Sequence, residues 1–373
     1  MAELIRGLEG VVAATTKLSR VDGERGVLLY CGYDIHDLAE SSSFEEIAYL
    51  LWHGELPGRA ALDDFRGALA HERALPAEVL DGIRRAPKDA RPIDVLRAAL
   101  STLATLDPDV DDVGADATRQ KARRLTAKFP TVLAAFDRVR NGAEPVPPDP
   151  ARGHAADFLR MLTGEDPDER AVRAVDGALI LLADHGLNAS TFTARVVAST
   201  LGDLHSAIVA AIGALRGPLH GGAAEAVMRM LLEIAEPENV EPYVKARLDR
   251  HDKVMGFGHR VYRTEDPRAT HLRAWSRELG ERFGRPKWFE ISRRIEEVVA
   301  REKALNSNVD FYSASVYYAL GIPMDLYTPI FACSRVVGWS AHVLEQYADN
   351  RLIRPRAEYV GPAPRPYVTA DER

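Results

Sequence analysis

Apolar residues recur at the spacing of an α-helix through most of this 373-residue chain, and no other feature limits its fold as strongly. Beyond about residue 60, apolar side chains return every three or four positions. The segments with this spacing are 62–74, 78–85, 93–106, 119–138, 155–162, 169–182, 190–200, 204–215, 223–234, 243–248, 268–281, 289–303, 311–320 and 329–347. The pattern therefore predicts a mainly α protein.

The first part of the chain differs because its residues favour β-structure. β-branched and aromatic residues cluster between positions 11 and 30, and Gly23 and Gly26 interrupt them. We predict a small β-hairpin or sheet within residues 8–33. The sequence Ser43-Phe-Glu-Glu46 is a capping box, so it predicts that the first helix starts there.

Length and charge limit the class of protein. The chain is long enough for roughly two domains. Its formal net charge of −7 argues against a general binder of nucleic acid or anionic membranes. Cys31 and Cys333 are its only cysteines, which excludes a disulfide framework and favours a reducing cytoplasm. We expect neither a signal peptide nor a membrane span, because no apolar stretch is long enough.

Two proline-rich stretches bear on domain organisation. Residues 141–150 contain several prolines and fit either a linker between domains or an exposed connection between two helices of one lobe. The residues after Pro355 are also rich in proline, so we expect an extended tail that lies on a surface or reaches a neighbour.

A glycine-flanked histidine gives the first candidate site. Gly256 and Gly258 bracket Phe257 just before His259, and glycine lets a backbone turn sharply and approach a ligand closely. Asp266 is a candidate cap for the helix that starts at Pro267. Basic residues flank the motif and could bind carboxylate or phosphate; they are Lys253, Arg260, Arg263 and Arg268. The alternative is a surface turn with a solvated basic face.

Two further turns carry histidines. His185 lies at a helix–turn–helix corner, where it is either a partly buried structural residue or an imidazole in a crevice. His220, in Gly-Pro-Leu-His-Gly-Gly, lies at the mouth of a helix. A helix N-terminus favours the neutral imidazole, which can donate a hydrogen bond to a developing oxyanion. We therefore interpret His220 as functional.

A carboxylate and a buried cation complete the set. Asp310 begins an otherwise apolar helix, so it is either a cap or a general base whose pKa is raised by burial. Arg335 lies within an apolar helical pattern, where an arginine needs an anionic partner. Arg354 belongs to a basic segment that could be only a tail.

Together these groups favour proton abstraction beside a carbonyl, followed by carbon–carbon bond formation on a dicarboxylate. A three-histidine zinc site is the alternative, although the chain has no His-Glu-x-x-His and no close histidine pair. It also has no phosphate-binding loop of the Walker type and no Gly-x-Gly-x-x-Gly after a strand.

The combined motifs resemble the citrate synthase family. The resemblance covers most of the chain and is carried by segments 29–35, 44–57, 184–191, 217–225, 256–268, 308–313 and 335–355. It implies a two-domain, multi-helical fold of the short bacterial or archaeal type and a homodimer. It also implies a large domain formed by residues 1–218 and 326–373 and a small domain, 219–325, that closes over the substrates.

The same resemblance implies the catalytic roles. Asp310 would be the base that takes a proton from the methyl group of acetyl-CoA. His220 would stabilise the resulting enol or enolate, and His259 would polarise the carbonyl of oxaloacetate. Citryl-CoA would then be hydrolysed to citrate and CoA, as in the tricarboxylic acid cycle. The resemblance implies no metal and no permanently bound cofactor.

Substrate contacts follow from the same resemblance. The positions that match oxaloacetate contacts are His185, Arg268, Arg335 and Arg354, the last supplied by the other subunit. The positions that match CoA contacts are Lys253, Met255, Gly256, Phe257, Gly258 and Arg263. Three positions depart from residues common in the family, namely Cys31, Gly186 and Ala224. These departures bear on the subfamily and remove no catalytic group.

Three other functions are consistent with parts of this pattern. A 2-methylcitrate synthase would use propionyl-CoA on the same scaffold, and one methylene changes selectivity by only about 1–3 kcal/mol. A metal-dependent hydrolase would use the histidines as ligands. A catalytically silent relative would retain the fold, but the joint presence of His220, His259 and Asp310 argues against it.

Overall fold

The computed structural model describes residues 5–373, and this range contains three β-strands and sixteen α-helices. The strands are β1 (Ser19–Asp22), β2 (Val27–Tyr30) and β3 (Tyr33–Asp34). The helices are α1 (Ile35–Ser41), α2 (Phe44–His53), α3 (Arg59–His71), α4 (Ala77–Arg85), α5 (Pro92–Leu106), α6 (Ala115–Arg140), α7 (His154–Thr163), α8 (Glu169–Leu182), α9 (Ala189–Ser199), α10 (Leu204–Leu215), α11 (Ala223–Ile234), α12 (Val240–Asp249), α13 (Pro267–Arg282), α14 (Pro286–Lys303), α15 (Val309–Ala319) and α16 (Tyr327–Ala348). The predicted mainly α fold is confirmed.

The three strands form one antiparallel sheet in the order β1-β2-β3, as the β-favouring residues predict. Ser19 pairs with Tyr30 across the first pair of strands. The turn between these strands includes Gly26, whose φ of 67° suits glycine. The sequence pattern does not predict the short helix α1, whose N-terminus is capped when the Asp34 side chain accepts a hydrogen bond from His36 N (2.8 Å).

Side-chain caps set several helix boundaries. Ser43 Oγ accepts a hydrogen bond from Glu46 N (3.4 Å) at the start of α2, which confirms the predicted cap. Gly54 ends the same helix in the left-handed conformation, with φ of 83°. Asp266 caps α13, also as predicted.

Helix α16 lies at the centre of the helical core. It packs against α2, α6, α8, α9 and α10, and most of its residues are buried. A side chain of α2 also bonds to its backbone: Trp52 Nε1 donates a hydrogen bond to Val337 O (3.1 Å). A helix enclosed on nearly every side holds the side chains on it in fixed positions.

The helices between residues 219 and 325 pack mainly on one another. Helix α11 packs on α15, α12 packs on α14, and α13 packs on α14 and α15. This group also contacts the preceding helices, since Trp275 of α13 packs against Gly177 of α8. A Cβ on Gly177 would lie only 2.1 Å from the Trp275 ring. Glycine at position 177 therefore allows the two helices to approach closely.

The proline-rich stretch 141–150 connects α6 to α7, and these two helices pack on each other. Side chains hold the stretch in place: Arg160 donates to Pro147 O (2.5 Å), and Arg73 donates to Asp149 O (3.2 Å). It is therefore a connection between packed helices rather than a flexible linker.

The C-terminal tail beyond α16 is exposed and has almost no regular structure. Ser199 holds its start, because Asn350 Nδ2 donates to Ser199 O (3.1 Å) and Ile353 N donates to Ser199 Oγ (3.0 Å). Among the helices of residues 5–373, none combines the length and the apolar character that a membrane crossing requires.

Candidate active site

A short backbone ladder joins the His259 segment to the start of α15. Phe257 forms a β-bridge with Ser307, Gly258 N donates to Asn306 O (3.0 Å), and Asn308 N donates to Gly256 O (2.9 Å). The Asn308 side chain adds a bond from its Nδ2 to Gly258 O (3.0 Å). The predicted glycine-rich turn is thereby fixed beside the helix that carries Asp310.

Gly256 is required at this junction for two reasons. Its φ is 83°, in the left-handed region that side chains disfavour. A Cβ at this position would also lie 2.7 Å from the ring of Phe311, in the first turn of α15. The glycine therefore permits close packing of the loop on α15.

His259 is held as a neutral hydrogen-bond donor. Its Nδ1 accepts hydrogen bonds from Val261 N (3.0 Å) and Tyr262 N (3.1 Å), so the proton of the neutral ring resides on Nε2. Burial, and then the charge of Arg268, lower the pKa of His259 to about 4. At neutral pH this imidazole can donate from Nε2.

His220 is neutral for similar reasons. Burial, together with the charge of Arg335, lowers its pKa to about 4. Ser190 N donates to His220 Nε2 (3.3 Å), and Ser190 Oγ lies 2.8 Å from the same atom. Because Nε2 accepts the backbone hydrogen bond, the proton of the neutral ring resides on Nδ1. Nothing in the sequence marks Ser190 as a partner of His220, which lies 30 positions away.

Asp310, in the first turn of α15, carries a carboxylate that is partly shielded from solvent. Its backbone N–H is bound by the Asn308 side chain (3.1 Å), which caps α15, but its own carboxylate oxygens make no hydrogen bond within residues 5–373. Burial raises the pKa of Asp310 to about 6, and this shift is opposed by Arg268 and Arg335. Such a carboxylate is ionised at neutral pH and is still basic enough to accept a proton.

Arg268 is held by Asp266 in a buried, two-point ion pair. Arg268 Nε lies 2.9 Å from Asp266 Oδ1, and Arg268 Nη2 lies 2.8 Å from Oδ2. Asp266 Oδ2 also accepts from Val309 N (3.2 Å), so this carboxylate joins the starts of α13 and α15. Within residues 5–373, Nη1 of Arg268 makes no hydrogen bond, so it can donate to a ligand.

Arg335 has no carboxylate partner among residues 5–373. It is 2% exposed, its Nε donates to Leu182 O (2.7 Å), and its guanidinium stacks 4.5 Å from the ring centroid of Phe331. No ion pair to Arg335 occurs within the described part of the chain, residues 5–373. Burial lowers its pKa to about 10. A buried arginine in this state favours an anionic ligand.

His185 lies beside His259, with 5.3 Å between the ring centroids. Its Nε2 is 3.1 Å from the hydroxyl of Tyr262. Burial and the charges of Arg268 and Arg335 hold the pKa of His185 well below its usual range. The structure therefore brings together three of the residues predicted to bind oxaloacetate, namely His185, Arg268 and Arg335. Nothing in the sequence except proximity to His259 marks Tyr262.

Several other predicted contact residues are exposed or only half-buried. Lys253 and Arg263 have exposed side chains, and Met255 is half-buried. Arg354 is exposed on the C-terminal tail. Over residues 5–373, no group of three or more histidine, cysteine, aspartate or glutamate side chains is arranged to hold a metal ion.

The three positions that depart from residues common in the family hold none of the candidate catalytic side chains. Cys31 has φ of 47°, and burial raises the pKa of its thiol to about 11. Gly186 has φ of 59°, and its N–H donates to the Asp184 side chain (3.1 Å). Ala224 is buried in the first turn of α11. None of the three lies in place of a histidine, arginine or carboxylate of the cluster.

Comparison with known proteins identifies the class. The family model described as "Citrate synthase, C-terminal domain" matches residues 7–356. The chain is 54% identical to "Citrate synthase 2" of Bacillus subtilis over 99% of each chain, and 42% identical to "2-methylcitrate synthase 1" of Corynebacterium glutamicum over 100% of this chain and 99% of that protein.

A solved structure gives the same result. It is the ternary complex of carboxymethyl coenzyme A and oxaloacetate with citrate synthase from Thermoplasma acidophilum, with a TM-score of 0.95 and 35% identity over 100% of both chains. The fold and these comparisons define an enzyme of the acyltransferase class. The chain belongs to the citrate synthase family.

Proposed function

We propose that this enzyme condenses acetyl-CoA with oxaloacetate and hydrolyses the product, citryl-CoA, to citrate and CoA. The observation that carries the proposal is the carboxylate of Asp310, which accepts no hydrogen bond within residues 5–373 and whose pKa is raised to about 6, in a chain that also holds His220 and His259 neutral in defined tautomers. An ionised base beside neutral donors can move a proton without creating a free carbanion.

The proposed reaction uses each group once. The Asp310 carboxylate takes a proton from the methyl carbon of acetyl-CoA, and the electron pair of that bond forms the enol double bond. His220 donates from Nδ1 to the thioester oxygen, where negative charge develops. The enol carbon attacks the ketone carbon of oxaloacetate. His259 donates a hydrogen bond from Nε2 to the ketone oxygen, where negative charge develops. Water then attacks the thioester carbon, the C–S bond breaks, and CoA leaves as the thiol with one proton of the water.

Oxaloacetate binds through its two carboxylates and its ketone. Arg335 and the free Nη1 of Arg268 bind the carboxylates, with His185 beside them. Arg335 is buried without an ion pair, and an oxaloacetate carboxylate would supply the missing anion. Arg354, which is exposed on the C-terminal tail, binds oxaloacetate from the second subunit of a homodimer.

CoA binds along the loop that precedes His259. Lys253 and Arg263 are exposed cations suited to phosphate groups, and the loop of Met255, Gly256, Phe257 and Gly258 contacts the nucleotide. Residues 219–325 form the small domain and close the cleft against the remainder, 1–218 and 326–373. The enzyme acts in the cytoplasm, in the tricarboxylic acid cycle.

A thiol-release assay with both acyl-CoAs tests this proposal. In the presence of oxaloacetate, we expect kcat/KM for acetyl-CoA to exceed that for propionyl-CoA by about 10-fold or more, since one methylene changes the transition-state free energy by about 1–3 kcal/mol. The higher identity to "Citrate synthase 2" than to "2-methylcitrate synthase 1" favours this outcome. A preference for propionyl-CoA would make the enzyme a 2-methylcitrate synthase instead.

Subunit mixing tests the shared site. A His220→Ala dimer and an Arg354→Ala dimer are each expected to be inactive. If each site combines His220 of one subunit with Arg354 of the other, a mixed dimer contains one intact site. Equal mixing should then restore about a quarter of wild-type activity, because half of the dimers are mixed. No recovery after verified subunit exchange would place both residues in the same subunit's site.

A further inference from the structure

One face of α16 makes direct contact with the segment that carries His185. The residues on this face lie at positions i, i+3, i+4 and i+7, which share one side of a helix; they are Arg335, Gly338, Trp339 and His342. Each makes one polar contact with residues 182–190. The contacts are Arg335 Nε to Leu182 O (2.7 Å), Gly338 N to Ala183 O (3.1 Å), Trp339 Nε1 to Ser190 Oγ (3.1 Å) and His342 Nε2 to Asp184 Oδ1 (3.2 Å).

The helix and the segment are so close that no side chain fits between them at position 338. A Cβ on Gly338 would lie 2.3 Å from Ala183 O and 2.6 Å from Asp184 Oδ1. The α16 face therefore touches the backbone of the segment directly, and the polar side chains on either side of Gly338 fix its register.

Asp184 is the residue through which His342 acts on the segment. It is fully buried and directly precedes His185. Its Oδ2 accepts from Ser19 Oγ (2.5 Å) and from Gly186 N (3.1 Å). Its Oδ1 faces His342 Nε2 at ion-pair distance, without the alignment of a hydrogen bond. The Asp184 carboxylate thus contacts α16 through one oxygen and, through the other, the Gly186 amide, which directly follows His185.

The tautomer of His342 follows from its contact with Arg195. Its Nδ1 lies 3.2 Å from Arg195 Nη1. Arginine can only donate, so Nδ1 accepts and the ring proton resides on Nε2, facing Asp184. Arg195 is itself fixed by Gln346 (3.0 Å) and Glu345 (2.9 Å). His342 is fully buried, and its polar neighbours are Arg195, Asp184 and Glu345.

We propose that His342 is a positioning residue for oxaloacetate binding: it holds the Asp184 carboxylate and so fixes the backbone that presents His185. This inference rests on the proposed function, in which His185 contacts oxaloacetate. His342 touches neither substrate nor the reacting atoms. Without it, the carboxylate rotates toward its two hydrogen-bond donors, Ser19 Oγ and the Gly186 amide, and His185 moves with the backbone on both sides of it.

Three variants test this role by steady-state kinetics. His342→Leu roughly keeps the volume and removes the ring nitrogen that faces Asp184; we expect the KM for oxaloacetate to rise by about 10-fold to 100-fold, since small displacements of a binding group have effects of this size. The KM for acetyl-CoA should stay within about twofold, because Ser190, which contacts His220, is held separately by Trp339 Nε1 (3.1 Å). His342→Gln places an amide N–H near the original Nε2 and should restore the oxaloacetate KM to within about threefold of wild type.

The matched control is Val343→Ala, a buried change at the next position of α16. It should lower Tm and leave both KM values within about twofold of wild type, because a lost methyl pair weakens packing alone. An unchanged oxaloacetate KM in His342→Leu would overturn the proposal. So would an equal defect in His342→Gln, or an equal rise in Val343→Ala. If wild-type enzyme itself shows no condensation, the proposed function fails; direct titration of oxaloacetate into the same variants then tests His342 independently.

Discussion

Asp310→Ala is expected to lower kcat by about 10²–10⁴-fold, the range typical of a lost general base. Oxaloacetate binding and Tm should change little, because the carboxylate makes no hydrogen bond within residues 5–373 that the fold could lose. Asp310→Asn, which keeps the shape, should be equally inactive. The measurements are thiol release, oxaloacetate titration and thermal unfolding. Turnover near the wild-type rate would remove Asp310 from the role of base.

The pH profile provides a second test of the same residue. Burial raises the pKa of Asp310 to about 6 in the free enzyme. The base must be ionised to accept a proton, so kcat/KM should fall as the pH drops through about 6, rather than through the usual aspartate value. A plateau that continues well below that pH would show that another group limits the reaction.

Arg335→Met is expected to weaken oxaloacetate binding by about 2–5 kcal/mol, or roughly 30-fold to 5,000-fold, because the ligand loses its buried cationic partner. In the absence of ligand, the variant should melt at or above the wild-type Tm. The reason is that burial without an ion pair disfavours the charged guanidinium, which also lowers its pKa to about 10. Oxaloacetate should raise the Tm of the wild type and leave that of the variant unchanged.

Arg73→Met is the matched control for Arg335→Met. Both arginines are 2% exposed, but Arg73 pairs with the buried Asp157 (3.0 Å). Its loss should lower Tm, because it leaves a buried carboxylate with one partner fewer, and should leave oxaloacetate affinity unchanged. If Arg335→Met instead lowers Tm as much as Arg73→Met and still binds oxaloacetate, Arg335 has a structural role.

Helical periodicity and capping residues were sufficient to predict the fold class and most elements. Long amphipathic segments bury a continuous face, so their spacing is visible in the sequence. The capping roles of Ser43 and Asp266 were also predictable, because a cap is a local interaction. Helix α1 was not, since its seven residues show too few turns for a periodic pattern.

Residues that act through distant contacts left no such mark. Asn308 reads as an ordinary helix cap, yet it also binds Gly258 O, fifty positions away. The tautomers of His220 and His259 depend on backbone N–H groups, which no side-chain pattern records. The proline-rich stretch 141–150 fitted two interpretations because proline extends the backbone without deciding whether the flanking helices pack together.

The ladder between residues 256–258 and 306–308 also bears on recombination among relatives. In a chimaera, a crossover between these segments would join a loop from one parent to a helix start from the other. The pairing depends on side chains at both ends, since Gly256 accommodates Phe311 and the Asn308 amide binds Gly258 O. The two segments are distant in sequence but depend on each other's residues. Viable chimaeras should therefore take both from the same parent.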